Sequence, residues 1–341
     1  MMTDNKKPKA ILIDVRTPLE YETAHIPRAL SLPLFSNEER AAVGTTYLQK
    51  SREEAILLGL QYVGPRLRSM VEQTIAWLEE QQADKVKLYC ARGGMRSASV
   101  AWLLRFYGLE CEVLEGGFKQ YKAQLPKFCK EVKQFYLLDG TTGSGKTLVL
   151  QAMSQLGAQV LDLEGIAEHR GSAFGALPSH PQQPSNEMIS CLIIDKLSSF
   201  DLNKPIFLES ESKKIGSREV PDVLFEKMKS AERIQLSTSL ELRVRLIIDQ
   251  YGDLEQDYLL SSFDKIRKRL GDEKCREAQQ AVQDGNLSEA VKLALTYYDK
   301  AYSQSSDQLW EEKVISSVPF EGDAEVTARE IIQIISEFST L

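Results

Sequence analysis

No apolar run in this chain approaches the roughly 18–20 residues needed to cross a membrane, so none is expected to. The opening stretch, Met1 to Lys9, lacks the apolar segment of a secretory signal, which makes the cytoplasm the expected location. Cysteine is scarce and scattered: Cys90, Cys111, Cys129, Cys191 and Cys275, an odd number with no C-x-x-C pair. A zinc ribbon or a disulfide framework is therefore not the organising device. An overall basic excess is also missing. The net charge of −7 argues against a protein that coats nucleic acid wholesale. The charge is unevenly spread, however. Up to Cys129 basic residues slightly outnumber acidic ones, and beyond it acidic residues predominate. The N-terminal part can thus meet a polyanion locally. Internal repeats and low-complexity tracts are absent.

What is present is a chain of 341 residues with 43% hydrophobic and 27% charged content, the profile of a globular protein long enough for two domains. Lys9 to Arg16 reads as a buried strand ending at a Thr17-Pro18 turn. Arg66 to Gln82 carries Leu67, Met70, Val71, Ile75 and Leu78 at helical spacing. Val86 to Tyr89 is a short strand delivering Cys90. Ser97 to Tyr107 is a helix expected to turn Val100, Leu103, Leu104 and Tyr107 inward, with Trp77 and Trp102 also assigned to the core. Strand, turn and helix alternate, which indicates parallel α/β sheets. A linker at about 126–133 separates a first domain, 8–126, from a second, 134–341. In the second, Gln134–Asp139, Ala158–Leu163, Lys204–Glu209 and a last short strand Ile234–Leu236 are expected. Beyond about Leu240 the chain becomes a helical extension, with turns near Gly271 and Gly285.

Two loops carry the chemistry. Cys90-Ala91-Arg92-Gly93-Gly94-Met95-Arg96-Ser97 joins a strand to a helix. That arrangement sets the sulfur over converging backbone N–H groups at a helix N-terminus. With Arg92 and Arg96 nearby, it favours thiolate at neutral pH and an anionic partner. A lone cysteine is usually inert core; this setting makes Cys90 the candidate nucleophile. The second loop, Gly140-Thr141-Thr142-Gly143-Ser144-Gly145-Lys146-Thr147, is a complete Walker A pattern between strand and helix. Its glycines let backbone N–H groups face phosphate oxygens, Lys146 supplies charge, and the Thr147 hydroxyl is the expected Mg²⁺ ligand. Glu209, closing an apolar strand, can serve that metal or its water, and Glu211 follows on the same side. Asp162 and Glu164 rank lower. His169 and Arg170 can touch an anionic ligand or RNA. Lys265-Ile266-Arg267-Lys268-Arg269 is a basic helical segment, read first as a solvated face and second as a contact for RNA phosphate.

The first domain resembles rhodanese domains. Asp14 to Tyr21, then His25-Ile26-Pro27-Arg28-Ala29, looks like their first signature, and Leu114 to Phe118 like a segment near their end. Cys90 falls where their catalytic cysteine belongs, and His25 is expected to brace the fold. The loop departs from the sulfur-sized form: Cys90 to Arg96 is Cys-x5-Arg, the spacing of rhodanese-related phosphatases. It holds no acidic residue to protonate a leaving oxygen, which weighs against phosphatase chemistry.

Taken with Asp162 to Gly175, Glu209 to Gly216 and Leu295 to Tyr302, the two loops resemble the tRNA 2-selenouridine synthase family. The resemblance implies a transferase that replaces sulfur with selenium at the wobble 2-thiouridine in the anticodon loop of tRNA. It implies S-geranylation by geranyl diphosphate, then selenation from selenophosphate, with selenophosphate synthetase as a candidate partner. The expected division places the diphosphate on Lys146 and Thr147, the chalcogen on Cys90, and the phosphate of the selenium donor or the tRNA backbone on Arg92 and Arg96. The sequence does not place the pocket for the prenyl chain; Leu57, Leu58, Leu60 and Tyr62, near Gly59 and Gly64, are no more than a guess at it. A different class stays open beside this: a P-loop kinase or NTPase regulated by a rhodanese-like sulfurtransferase or phosphatase domain. A third is an RNA-binding adaptor that delivers persulfide.

Overall fold

The computed structural model describes residues 9–170, 182–252, 254–309 and 314–338. It divides into two compact units, Met1–Leu125 with Ser190–Asp195, and Pro126–Ile189 with Lys196–Leu341.

The first unit is built on a parallel sheet of four strands in the order β2-β1-β3-β4. These are β1 (Ala10–Asp14), β2 (Leu30–Ser31), β3 (Lys85–Tyr89) and β4 (Glu110–Val113). Its helices are α1 (Pro18–Thr23), α2 (Asn37–Gln49), α3 (Arg52–Val63), α4 (Leu67–Gln81), α5 (Met95–Tyr107) and α6 (Gly117–Lys122). Parallel strands need crossover helices, and those helices bury the sheet's apolar side chains. Ile11, Ile13, Val86 and Leu88 meet Met70, Val71 and Leu78 of α4 and Val100 and Leu104 of α5 in one core. Thr17-Pro18 is more than a turn. Thr17 caps α1, accepting from the Glu20 N–H while Glu20 returns a bond to the Thr17 N–H.

The second unit holds a five-stranded parallel sheet, β11-β10-β5-β7-β6. Its strands are β5 (Phe135–Asp139), β6 (Gln159–Val160), β7 (Ile206–Glu209), β10 (Glu232–Ser237) and β11 (Val314–Pro319). A small antiparallel hairpin joins β8 (Lys214–Ile215) and β9 (Arg218–Glu219). The helices are α7 (Gln124–Glu131), α8 (Lys146–Gln155), α9 (Leu163–Ile166), α10 (Asn186–Ser198), α11 (Asp222–Lys229), α12 (Leu240–Tyr251), α13 (Gln256–Leu270), α14 (Asp272–Gln283), α15 (Leu287–Leu309) and α16 (Ala324–Phe338). β5 and β7 are buried at every position, as central strands of a parallel sheet must be. α13, α14 and α15 make a separate apolar cluster around Phe263, Ile266, Cys275, Ala278 and Ala294.

Three expectations need correction. β10 is not the last strand; the chain returns after four helices to add β11 beside it. The stretch expected as a strand over Ala158–Leu163 forms only Gln159–Val160 before Asp162 caps α9. Trp102 and Tyr107 are not core residues: they are 64% and 60% exposed, while Trp77 packs partly buried against the first core.

Candidate active site

In the first unit, β3 ends at Tyr89 and leaves Cys90 at the mouth of a loop closed by Gly93, whose φ of 65° is left-handed. A second glycine pair locks that loop in place. Phe118 N–H donates to the Cys90 carbonyl at 2.9 Å and Lys119 N–H to the Ala91 carbonyl at 2.9 Å. Gly117 (φ 55°) passes so close that a Cβ there would collide with the Cys90 carbonyl.

Cys90 is 3% exposed, yet polar donors surround its sulfur. Gly94 N–H lies 3.3 Å from Sγ and the Ser97 hydroxyl, itself fully buried, 3.2 Å. Burial alone would raise the thiol pKa. The Ser97 hydroxyl and the backbone N–H groups of Arg92, Ser97 and Gly94 outweigh it, and the net shift is downward. Cys111 and Cys129 lack such donors, and burial pushes each up to about 11. Of these three, Cys90 is the one whose thiol its loop holds below the ordinary value.

The two arginines differ. Arg92 is exposed, without an ion-pair partner among the described residues. Arg96 is engaged: its guanidinium reaches both oxygens of Glu20, at 2.7 and 3.3 Å. The expectation that Arg96 holds an incoming anion therefore meets a competing carboxylate. His25 stacks on Tyr21 with centroids 4.0 Å apart and bonds its carbonyl at 2.9 Å, a bracing role.

In the second unit, β5 feeds the loop Gly140–Thr147, and α8 follows it. Gly145 (φ 91°) has no room for a Cβ, because the Phe320 ring sits against it. Lys146 Nζ donates to the Gly140 carbonyl at 2.8 Å, folded back over its own loop. The Ser144 hydroxyl is buried without a hydrogen-bond partner among the described residues. Thr147 donates to Glu209 at 2.7 Å.

Around that pair, Glu164, Glu209 and Glu211 bring carboxylate oxygens within 4.8 Å of one another. Burial, then mutual repulsion, pushes Glu164 up to about 10. Burial likewise takes Glu209 up to about 7, although Lys146 opposes it. Glu211 is raised as well, again by burial first. Asp162, by contrast, spends its carboxylate on the Gly165 N–H at 2.8 Å.

The loop and the acids open into one cavity of about 880 Å³. Apolar side chains also line it: Leu246 and Ile247 of α12, Leu259 and Phe263 of α13, and Leu295 and Tyr298 of α15, with Ile247 packed against the loop at Gly143. His169 and Arg170 line it too. Arg170 is held by the Gln250 carbonyl at 3.0 Å, and burial lowers the His169 pKa, favouring neutral imidazole.

A family model for the tRNA 2-selenouridine synthase AAA domain matches residues 133–329. A rhodanese-like domain model matches residues 1–124. A tRNA 2-selenouridine synthase of Psychromonas ingrahamii is 31% identical over 346 residues, covering 92% of this chain and 91% of its own. The chain belongs to the tRNA 2-selenouridine synthase family. A crystallised N-terminal domain from Clostridium difficile 630, of a protein described as ATP/GTP binding, is 43% identical and covers 35% of this chain and 90% of its own, with a TM-score of 0.32. No helix among the described residues of this synthase-family chain is long and apolar enough to cross a membrane.

Sequence reasoning missed several residues of the site in this family member. Arg243 of α12 donates to the Thr142 carbonyl at 2.9 Å and pairs with Asp299 of α15 at 2.5 Å. Asp139, beneath the loop, accepts from Arg233, Ser210 and Tyr302. A signal was available: Asp299 and Tyr302 fall inside the Leu295–Tyr302 stretch that resembles the family. Leu57 and Leu60, expected near the prenyl chain, are instead 67% and 63% exposed on α3. The Gly171–Gly175 part of the quoted motif lies outside the described residues.

Proposed function

We propose that this chain replaces sulfur by selenium at the wobble 2-thiouridine of tRNA, through S-geranylation followed by selenation. The single observation that carries this reading is the cavity of the second unit. A cavity that joins the phosphate-binding loop to apolar side chains of α12, α13 and α15 suits an apolar chain ending in diphosphate.

In the first step the thiocarbonyl sulfur attacks C1 of geranyl diphosphate. The C–O bond breaks and diphosphate departs into the loop N–H groups and Lys146, which leaves the Gly140 carbonyl to meet it. Alkylation converts a poor leaving group into a good one. In the second step selenium from selenophosphate attacks C2 of the base, geranyl thiolate leaves, and the phosphate passes to water. Cys90, held towards its thiolate form, is the group that handles the chalcogen, and exposed Arg92 attracts the anionic donor. Selenophosphate synthetase is the source of that donor.

The donor set also fits a hard divalent cation, because three converging carboxylates with raised pKa values outnumber the single charge of Lys146 that opposes the shift. Glu164, Glu209, Glu211 and the Thr147 hydroxyl would hold Mg²⁺, which when bound neutralises charge on the diphosphate.

The test is Lys146→Ala. It should abolish geranylation while leaving selenation of pre-geranylated tRNA within about twofold of the wild type. Equal loss of both steps would count against separate roles for the two loops.

A further inference from the structure

α5 starts at the residue after Gly94 and carries its exposed side chains away from the Cys90 loop. Met95, Ser99, Trp102 and Phe106 fall at i, i+4, i+7 and i+11, one line along the helix. That line lies opposite Val100, Ala101 and Leu104, which are buried to 1%, 0% and 0%. Trp102 is 64% and Phe106 79% exposed, with Met95 at 54%. The two rings are nearly coplanar in direction, with centroids 5.6 Å apart and planes 19° apart. Packing within the first unit does not use them.

We infer that this face of α5 is the platform on which unpaired bases of the tRNA anticodon loop stack while the wobble base is presented at Cys90. The inference rests on the function proposed above and adds the surface that holds the substrate. Three observations favour RNA. First, single-stranded loops are recognised by stacking splayed bases on exposed aromatic rings. Second, α5 contains no acidic residue; it carries Arg105, and Arg92 stands exposed just before it, while Arg96 is paired with Glu20. Third, the stripe is continuous with the loop where the reacting base must arrive. At 1.5 Å per residue, Trp102 and Phe106 lie roughly 10 and 16 Å along the axis from Met95, a few nucleotides' reach. A second copy of the chain fits less well. Two rings supply roughly 150–250 Å² each, short of the roughly 800 Å² per partner in a stable interface.

The experiment uses the full chain and a synthetic anticodon stem-loop carrying wobble 2-thiouridine, with affinity read by fluorescence anisotropy. The double variant Trp102→Leu/Phe106→Leu keeps the face apolar but removes the rings. It should bind the stem-loop at least about tenfold more weakly, while Trp102→Tyr/Phe106→Tyr stays within about threefold of the wild type. Geranyl diphosphate affinity and melting temperature should be unchanged in both, because the positions are exposed. Equal stem-loop binding by wild type and the leucine variant would overturn the platform but leave the proposed function standing. A wild type that fails to bind the stem-loop would sink both. A wild-type dimer in light scattering that becomes monomeric in the tyrosine variant would reassign the face to self-association and overturn the inference.

Discussion

Tyr302 of α15 places its hydroxyl 2.8 Å from the carboxylate of Asp139, a residue 163 positions earlier at the end of β5. Asp139 simultaneously accepts from the Gly140 N–H at 2.9 Å, the first residue of the phosphate loop. One carboxylate thus links the long C-terminal helix to the loop's entry. Tyr302→Phe removes this link without removing the ring. Thermal denaturation should show a loss of about 0.5–1.5 kcal/mol, the usual value of one hydrogen bond. Geranyl diphosphate should also bind more weakly, which isothermal titration would show. An unchanged melting temperature would mean that the hydroxyl contributes nothing.

Ser97 donates directly to the Cys90 sulfur. Ser97→Ala should raise the thiol pKa, because the strongest of the donors opposing burial is gone. The pH profile of iodoacetamide alkylation should move upward by up to about one unit, equivalent to about 1.4 kcal/mol. A profile that stays in place would assign the lowered pKa to the backbone N–H groups alone.

The two arginines of that loop should separate cleanly. Arg92→Ala should raise the KM for selenophosphate several-fold with no change in melting temperature, since Arg92 is exposed. Arg96→Ala breaks a two-pronged pair with Glu20, which also caps α1, so it should lower the melting temperature. Matching effects of the two variants on stability would contradict this division.

The three glutamates make the second unit sensitive to pH. Glu209 and Glu164 titrate at about 7 and about 10 when folded, against an ordinary value of 4.5. Above about pH 4.5 the unfolded chain releases these protons while the folded chain retains them. Stability from this source is therefore greatest at low pH and is lost as pH climbs through 7 towards 10. In EDTA the melting temperature should fall between pH 6 and pH 9. MgCl₂ should restore it, more at pH 8.5 than at pH 6. Glu164→Gln should flatten the slope. Melts insensitive to both pH and Mg²⁺ would remove the trio as a cation site.

The parts of this protein legible in its sequence are those whose geometry is local. A strand, a glycine-rich turn and a helix follow one another within each of the two loops, so Cys90 and Lys146 could be placed by spacing alone. The acidic trio could not: Glu164 and Glu211 come from different elements, and only the sheet order brings them to Glu209. Trp102 was misassigned because α5 has apolar residues all around its circumference, so periodicity does not say which side faces inward. β11 (Val-Ile-Ser-Ser-Val-Pro) was missed because its central serines hide its apolar character, and α2 because none of its residues is buried.

β11 has a consequence for how the molecule is made. The sheet of the first unit is complete once Val113 has been synthesised, whereas the sheet of the second awaits a strand that begins at Val314. Phe320, the ring that supports Gly145, comes later still. During translation the sheet of the first unit can settle early. The phosphate loop stays without its buttress until nearly the whole polypeptide has left the ribosome, so a chain stalled before Phe320 would carry a folded first sheet beside an unsupported loop.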